Sequence, residues 1–259
     1  MLASAVVGGH SRGVLEVRGD QSAATRWASV TKMVTALAVL VAVEEGTLAL
    51  DDPAGPPGAT VRHLLAHTSG WGFAQRRVWA LPGRRRIYSN VGFETLGAHL
   101  ARRSGIPYET YVREAVLQPL GIETTHLAGT PAAGLVGPLQ DLVRLAGELL
   151  APTLVSQATF ELATSVAFPG VPGILPGVGR FNPCDWGLGF ELKDGKSPHW
   201  TGTRNSSRTF GHFGGSGSFL WVDPAADLAM AALSEKDFGP WALEEWPAMS
   251  DDALRRYGP

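Results

Sequence analysis

The pattern of apolar and polar positions changes twice along the chain. The N-terminal part contains two short strand-like runs joined by a glycine-rich turn, "SAVVGG" and "GVLEVRG". The middle shows helical periodicity, with apolar residues three and four positions apart. From about residue 186 the chain returns to short alternating or apolar runs separated by turns, which are typical of antiparallel strands. These later runs are "WGLGFEL", "RTFGHF", "SGSFLWVD" and "LAMAALS".

Helix start and stop signals divide the middle block. Gly46 ends a long apolar helix, Asn90 is a predicted N-cap, and Pro107 suits a first helical turn. The predicted helices span residues 29–45, 60–66, 90–104, 107–117, 138–150, 157–163 and 241–256. The stretch "FPGVPGILPGVGRFNP" is predicted to be a loop because glycine and proline dominate it.

This order of elements predicts an α+β fold. The first and last strands are expected to share one antiparallel sheet flanked by helices, with a mainly helical part inserted between them. We expect a single domain over residues 1–259, with the sheet part at about 1–50 and 186–259 and the helical part at about 51–185. A cleft is predicted between the two parts.

Composition and charge exclude several classes of partner. The 259 residues carry a net charge of −2, which gives no electrostatic reason to expect nucleic acid or an acidic membrane surface. The apolar run from Met33 to Val43 is shorter than the about 20 residues of a membrane span, so a buried helix is predicted. The N-terminus lacks the features of a signal peptide, and the expected location is the cytoplasm, unless the chain was trimmed from a secreted form.

Cys184 is the sole cysteine, so no intrachain disulfide can form. It lies in a loop-like context, "RFNPCDWG", without a neighbouring histidine or lysine. A structural thiol is therefore favoured over a nucleophile.

Ser29 and Lys32 are the first candidates for chemistry. Lys32 opens the most apolar run of the chain, and the spacing of three places both side chains on one helix face. A serine is a poor nucleophile until a base takes its proton, and a lysine becomes a base when burial or a helix dipole lowers its pKa. The alternative is that Lys32 extends its charge to the surface.

Tyr88 and Asn90, in "YSN", are the second candidates. A tyrosine beside a lysine ammonium is expected to have its phenolate favoured, so that it shares the role of base. Asn90 offers an amide donor and acceptor for a substrate carbonyl or for the lysine. The alternative is a loop tyrosine followed by a helix N-cap.

His212 and Gly214, in "GHFGGSGS", are the third candidates and lie on a predicted strand. Strand glycines let a substrate backbone approach closely and expose N–H groups. The amides of Ser29 and Gly215 are the expected oxyanion hole of an acyl transfer. The alternative is a strand histidine near a glycine-rich turn.

The three motifs are more informative together than any of them is alone. Residue counts give random expectations of about 0.25 for S-x-x-K, about 0.05 for Y-x-N and about 0.9 for H-x-G. Each motif occurs once, in this order, with "LLAHTSG" between the first two. The sequence resembles, along nearly its whole length, the superfamily of class C β-lactamases, DD-peptidases and family VIII carboxylesterases. S-x-x-K also opens the motif set of class A enzymes, whereas Y-x-N is the class C form of the second motif.

The resemblance implies that Ser29 is the nucleophile, acylated by substrate and deacylated by water. It implies that Lys32 and Tyr88 share the proton transfers, and that no metal or cofactor is needed. The residues expected to contact substrate are Asn90, His212, Gly214 and Gly215.

The sequence departs from the family pattern at His212, where strong β-lactamases and DD-peptidases usually carry a lysine that helps to hold the substrate carboxylate. H-x-G is more similar to the esterase and amidase members. We therefore expect a serine hydrolase of small esters or amides, with esterase activity first. The alternatives are a β-lactamase or D-amino-acid peptidase, and a penicillin-recognising or scaffold protein without turnover. The expected partner is a small ester, amide or β-lactam, and the oligomeric state is left open.

Other features have structural interpretations. His63 and His67 have a helical metal spacing, but no glutamate completes a zinc-protease motif. The arginines at 84–86 are expected on a solvated loop, with attraction of anionic substrates as the alternative. Aromatic residues are more often core than the wall of an acyl pocket, and the candidates for either are Trp71, Trp186 and Trp221.

Overall fold

The computed structural model describes residues 3–9 and 12–259. The helices are α1 Thr31–Glu44, α2 Val61–Leu65, α3 Asn90–Ser104, α4 Tyr108–Val112, α5 Leu139–Leu150, α6 Gln157–Ala163 and α7 Pro240–Tyr257. The strands are β1 Ala3–Gly8, β2 Gly13–Gly19, β3 Thr25–Arg26, β4 Arg86–Ile87, β5 His126–Leu127, β6 Leu135–Gly137, β7 Gly173–Leu175, β8 Gly179–Phe181, β9 Glu191–Leu192, β10 Phe210–Phe213, β11 Phe219–Asp223 and β12 Leu228–Leu233.

The largest sheet in the described ranges is antiparallel and has the spatial order β2-β1-β12-β11-β10-β9. Its strands come from the two ends of the chain, so the predicted α+β arrangement is confirmed. Two small sheets lie apart from it, with the orders β3-β6-β5 and β4-β7-β8.

The sheet separates two apolar cores because successive side chains of a strand point to opposite faces. On β11, Leu220 and Val222 join the core that contains α1 and α5, whereas Phe219 and Trp221 join the core that contains α7. Helix α1 is buried on nearly every side from Thr31 to Leu40, as expected of a helix that is apolar all round.

The predicted helices are confirmed with small shifts at their ends. A 3-10 turn, Ala28–Val30, precedes α1, and α4 continues as a π-helical turn at Arg113–Leu117. The segment 168–183, which was predicted to be a loop, contains the hairpin β7–β8. The many glycines and prolines of the segment led to the loop prediction.

The run "WGLGFEL" forms a strand only at Glu191–Leu192. Gly189 has a φ of +91°, and a Cβ there would lie 2.2 Å from the Cβ of Ala36. The segment before β9 therefore bends to pack directly on α1 instead of continuing the sheet.

Cys184 is fully buried, and burial raises the pKa of its thiol, in agreement with the expected structural role. Within residues 3–9 and 12–259, no helix combines the length and apolar character needed to cross a bilayer.

Candidate active site

Ser29 lies in the 3-10 turn at the entrance to α1 and is partly exposed. The preceding residue, Ala28, has a φ of +45°, a left-handed conformation that is unfavourable for a residue with a Cβ. Trp27 anchors the turn, because its buried indole N–H donates to the carbonyl oxygen of Gly137 at 3.1 Å. The backbone thus holds the Ser29 hydroxyl at the start of a buried helix.

Lys32 is fully buried directly after this turn. Its Nζ lies 2.7 Å from Asn90 Oδ1, 2.8 Å from the carbonyl oxygen of Ala132 and 3.3 Å from Ser29 Oγ. Three distant segments of the chain therefore meet at one amine. The alternative prediction, that Lys32 extends its charge to the surface, does not match this structure.

Burial lowers the pKa of Lys32 well below its ordinary value, and the charge of Glu94 opposes this only in part. A neutral amine has two N–H donors and one lone pair. The two shortest contacts, to Asn90 and Ala132, take the donors. The lone pair then faces Ser29 Oγ, the arrangement that a general base requires.

Tyr88 lies beside the lysine at the end of β4. Its ring centroid is 4.7 Å from Lys32 Nζ, and its hydroxyl is 3.3 Å from His212 Nε2. The ring of His67 packs on the Tyr88 ring, and the two ring centroids lie 4.4 Å apart. The tyrosine is therefore held between the base and the strand histidine.

The expected phenolate is not favoured at Tyr88. Burial raises its pKa well above the ordinary value, and the nearby Ser29 side chain opposes this shift only in part. The expectation assumed a charged ammonium next to the ring, whereas desolvation favours the neutral form of both groups. Tyr88 is thus a hydrogen-bond donor in the resting site.

His212 is buried on β10, and its tautomer follows from its contacts. Its Nδ1–H donates to the carbonyl oxygen of Phe213 at 2.7 Å, which leaves Nε2 as the acceptor for the Tyr88 hydroxyl. Burial lowers the pKa of His212 to about 3, helped by the neighbouring Lys32. His212 is therefore neutral at physiological pH and does not replace the positive charge of a lysine.

The other predicted site residues take different positions. Asn90 is the first residue of α3, but Ser89 is the N-cap, with its Oγ accepting from the Gly92 N–H at 3.1 Å. Asn90 instead accepts the hydrogen bond from Lys32. Its partial exposure leaves the position open to contact with substrate.

Gly214 was predicted on the strand, but β10 ends at Phe213, and Gly214 and Gly215 follow it with different roles. Gly214 is buried, and its N–H donates to the carbonyl oxygen of Ser218 at 2.8 Å. A Cβ on Gly214 would lie 2.6 Å from the carbonyl oxygen of Trp27, so this glycine lets β10 approach the turn of Ser29. Gly215 is exposed and lines the same cavity as Ser29.

A cavity of about 210 Å³ opens above the Ser29 hydroxyl. Its other lining residues are mostly apolar: Phe73, Tyr88, Leu175, Pro176, Gly177, His212, Phe213 and Phe238. The three phenylalanines were missed by the sequence reasoning: Phe213 lies inside the third motif, whereas Phe73 and Phe238 lie outside all three motifs. Trp71, Trp186 and Trp221 do not line this cavity and are buried.

The histidine pair of the H-x-x-x-H spacing serves local structure. His63 Nδ1 accepts from the Thr60 N–H at 3.2 Å, and His67 Nδ1 accepts from the Ser89 N–H at 3.1 Å. Among the described residues, no group of three or more histidine, cysteine, aspartate or glutamate side chains is arranged to hold a metal ion.

A second buried lysine was also missed. Lys196 lies 2.8 Å from Glu191 Oε1, close enough for an ion pair but not aligned as a hydrogen bond. Glu191 Oε2 accepts from Trp200 Nε1 and lies 2.9 Å from His199 Nε2. The polar sequence "KDGKSPHW" gives no local sign of this burial, which only the fold produces.

The family model described as Beta-lactamase matches residues 16–253. The chain belongs to the Beta-lactamase family. The three motifs that predicted this membership lie at one cavity of the structure, and the predicted relationship is confirmed.

Named relatives within this family have different activities. The chain is 30% identical over 160 residues to the D-alanyl-D-alanine-carboxypeptidase/endopeptidase AmpH of Escherichia coli K12, covering 48% of this chain and 42% of AmpH. It is 30% identical over 167 residues to the esterase EstB of Burkholderia gladioli, covering 45% of this chain and 41% of EstB. The chain thus spans less than half the length of these relatives.

A solved structure matches the whole chain. The crystal structure of a β-lactamase from Mycobacterium bovis, Mb2281c, is 53% identical and has a TM-score of 0.97, covering 99% of this chain and 95% of that chain. The β-lactamase-like fold is therefore confirmed.

Proposed function

We propose that this protein is a serine hydrolase that cleaves small neutral esters through an acyl-enzyme on Ser29. One observation carries the proposal: the buried Lys32 amine lies 3.3 Å from Ser29 Oγ, while Asn90 and Ala132 occupy its two donors. A neutral amine in that position is a base for the serine hydroxyl.

In the first step Ser29 Oγ attacks the ester carbonyl carbon, and its proton moves to Lys32 Nζ. Collapse of the tetrahedral intermediate breaks the bond to the alcohol oxygen, which leaves with a proton. Water then attacks the acyl carbon, and the acid is released as Ser29 Oγ regains its proton.

Tyr88 is proposed to pass the proton to the leaving alcohol. Its single O–H faces His212 Nε2 at 3.3 Å in the resting site. It is proposed to turn to the alcohol oxygen and donate its proton there, and Lys32 is proposed to return a proton to it. The neutral imidazole of His212 stabilises the phenol orientation without supplying charge.

The amides of Ser29 and Gly215 are proposed to bind the oxyanion. Both residues line the cavity, and two convergent N–H donors are the usual means of stabilising this charge. Gly214 cannot serve in this role, because its N–H donates to Ser218.

The electrostatics of the cavity favour a neutral reacting group. His212 stands where strong β-lactamases and DD-peptidases usually carry a lysine, and burial keeps it uncharged. The cavity walls are mostly apolar and enclose about 210 Å³, which suits a short acyl group.

Hydrolysis of a β-lactam or a D-amino-acid peptide is the second candidate. It is favoured by the 53% identity to the β-lactamase Mb2281c over nearly the full chain. A β-lactam carboxylate would have to be held here without a charged residue at position 212.

The test compares the turnover of p-nitrophenyl acetate with that of a chromogenic cephalosporin. We expect multiple turnovers of the ester and slower turnover of the cephalosporin. Ser29→Ala is expected to abolish both, together with labelling by a fluorophosphonate. Tyr88→Phe is expected to lower ester turnover by about two or more orders of magnitude and to leave the protein folded.

Three outcomes would contradict the proposal. Labelling retained in Ser29→Ala would place the nucleophile elsewhere. Efficient cephalosporin turnover with negligible esterase activity would favour the second candidate. A persistent acyl adduct without turnover, seen by intact-protein mass spectrometry, would indicate a recognition protein.

A further inference from the structure

A larger groove continues from the cavity at Ser29. It encloses about 1000 Å³ and shares Phe73, Tyr88 and Pro176 with that cavity. We call it the side groove; its lining comes from residues 72–75, Trp79, 85–88, 172–174, Pro176 and 180–182. The hairpin β7–β8, paired with β4, contributes one of its walls.

The side groove leaves large apolar side chains in contact with solvent. Phe73 is 54% exposed, Trp79 is 63% exposed and Ile174 is 48% exposed. Phe73 is nevertheless in a fixed place, because its ring stacks on Tyr88 and its carbonyl accepts from the Asn90 N–H at 2.8 Å. Exposed apolar surface of this kind commonly marks a binding site.

The same groove is positively charged. Arg85 and Arg180 line it and are exposed, and no aspartate or glutamate is among its lining residues. Ile174 and Arg180 are direct cross-strand partners, so they project from the same face of the hairpin. Neither arginine takes part in an ion pair found within residues 3–9 and 12–259.

Arg86 also touches the groove but has a structural role. Its guanidinium is buried and donates to the carbonyl oxygens of Ala66, Ala167 and Cys184 at 2.5 to 2.9 Å. Of the arginine run at 84–86, only Arg85 is therefore available to a ligand in the groove.

We infer that the side groove binds the remote end of the ester substrate, an apolar chain that terminates in a carboxylate. The inference rests on the proposed function and adds a substrate class to it. The reacting ester lies at Ser29, the chain passes Phe73 and Pro176, and the carboxylate is held by Arg85 and Arg180. The positive charge for the substrate thus comes from the groove and not from the strand position of His212.

The kinetic test uses esters of equal length that differ only in the end group. The first pair is p-nitrophenyl octanoate and mono-p-nitrophenyl octanedioate, with the carboxylate on the acyl side. The second pair is octyl acetate and 8-acetoxyoctanoate, with the carboxylate on the alcohol side. The R85Q/R180Q variant is expected to lower kcat/KM about tenfold for at least one carboxylate ester, and to leave its neutral partner unchanged.

The matched control removes the same charge elsewhere. R84Q/R208Q changes two exposed arginines that do not line the side groove, and it is expected to keep the wild-type ratio for both ester pairs. Raising the salt concentration is expected to reduce the wild-type preference for the carboxylate ester, because both arginines are exposed.

Binding is measured separately from turnover. Calorimetric titration of the Ser29→Ala protein with monomethyl octanedioate is expected to give a Kd that R85Q/R180Q weakens about tenfold. Methyl octanoate is expected to show no such effect.

The inference fails if the arginine variant changes neither the kcat/KM ratios nor the Kd. If neutral esters are turned over in that case, the proposed function stands without this subsite. If no ester is turned over but the Kd effect is present, the subsite stands and the proposed function fails. Arginine-dependent binding to anionic vesicles, with no effect on either ester measurement, would make the groove a membrane-facing surface and overturn the inference.

Discussion

The side chains around Ser29 are buried, and burial sets the protonation state of each. The pKa values of Lys32 and His212 are lowered and that of Tyr88 is raised, so each shift favours the neutral form. Desolvation is the largest cause in every case. The sequence predicted the depressed pKa of Lys32 from its apolar context, but the tyrosine was predicted wrongly, because an ammonium was assumed to be its neighbour.

Replacing Lys32 by methionine gives a test of this neutral state. Burial holds the pKa of Lys32 in the folded protein well below the value of about 10.5 that the lysine has in the unfolded chain. Between these two pKa values the unfolded state holds more protons than the folded state, and stability rises with pH. Relative to Lys32→Met, the unfolding free energy of the wild type is expected to rise with pH, by up to about 1.4 kcal/mol per pH unit, between the lowered pKa of the folded amine and about 10.5.

Urea unfolding of the wild type and of Lys32→Met at pH 7, 8 and 9 measures this slope. Ester turnover is expected to be lost in Lys32→Met. Lys236→Met is the control, since Lys236 is exposed, and it is expected to show no slope relative to the wild type. A pH-independent difference between Lys32→Met and the wild type would mean that the folded amine is charged.

At the scale of elements, the site depends on how closely β10 approaches the turn before α1. Gly214 allows that approach, because a Cβ would lie 2.4 Å from Ser218 Oγ, 2.6 Å from the Trp27 carbonyl oxygen and 2.9 Å from the Ala28 Cβ. Two of these three atoms are held by backbone geometry and cannot move without displacing Ser29. The sequence predicted Gly214 as a substrate contact; the contacts in the structure give it a packing role.

Gly214→Ala is expected to destabilise the protein by about 1–3 kcal/mol, the usual range for overpacking. Ester turnover is expected to fall by more than about tenfold, because a displacement near 1 Å of catalytic groups is costly. Urea unfolding and kcat/KM for p-nitrophenyl acetate are the measurements.

Gly147→Ala provides the comparison. Gly147 lies inside α5, and a Cβ there meets no atom within 4 Å. The substitution is expected to stabilise the protein by about 0.5–1 kcal/mol, through helix propensity, and to leave turnover unchanged. Equal effects of the two substitutions would contradict the packing role of Gly214.

At the scale of the whole molecule, a buried ionic cluster fixes the edge of the main sheet. Glu191 on β9 contacts Lys196, His199 and Trp200, which follow it in one long loop. Burial alone would raise the pKa of Glu191, but His199 and Lys196 outweigh it and lower the pKa to about 2. The cluster joins the edge of the sheet to the core beneath α7, where Trp200 packs on Trp246.

Glu191→Gln is expected to destabilise the fold by about 3–5 kcal/mol, because it leaves Lys196 buried without its counter-ion. The contribution of Glu191 is present above pH 4.5 and is lost as the pH falls toward 2, since its pKa is lowered on folding. Urea unfolding at pH 7 and pH 3 measures both effects.

Asp237→Asn is the matched control, because Asp237 pairs with Arg26 at the surface, where both side chains are about 70% exposed. It is expected to change stability by less than about 1 kcal/mol. A similarly small effect of Glu191→Gln would show that the buried cluster contributes little to the fold.

By itself the sequence determined the α+β class, the helix positions, the family and the approach of Lys32 to Ser29. The fold class, the helix positions and the approach of Lys32 to Ser29 follow from periodicity, from local stop signals and from a spacing of three residues, all of which act over short stretches of chain. The family follows from the resemblance that the three motifs carry. Only the tertiary structure decided the protonation of Tyr88 and His212, the packing role of Gly214 and the burial of Lys196. It also showed that Arg85 and Arg180 are exposed in the side groove, whereas Arg86 is buried and has a structural role. Each of these depends on which distant segments pack together, and both close packing and desolvation are properties of the folded molecule that no local pattern records.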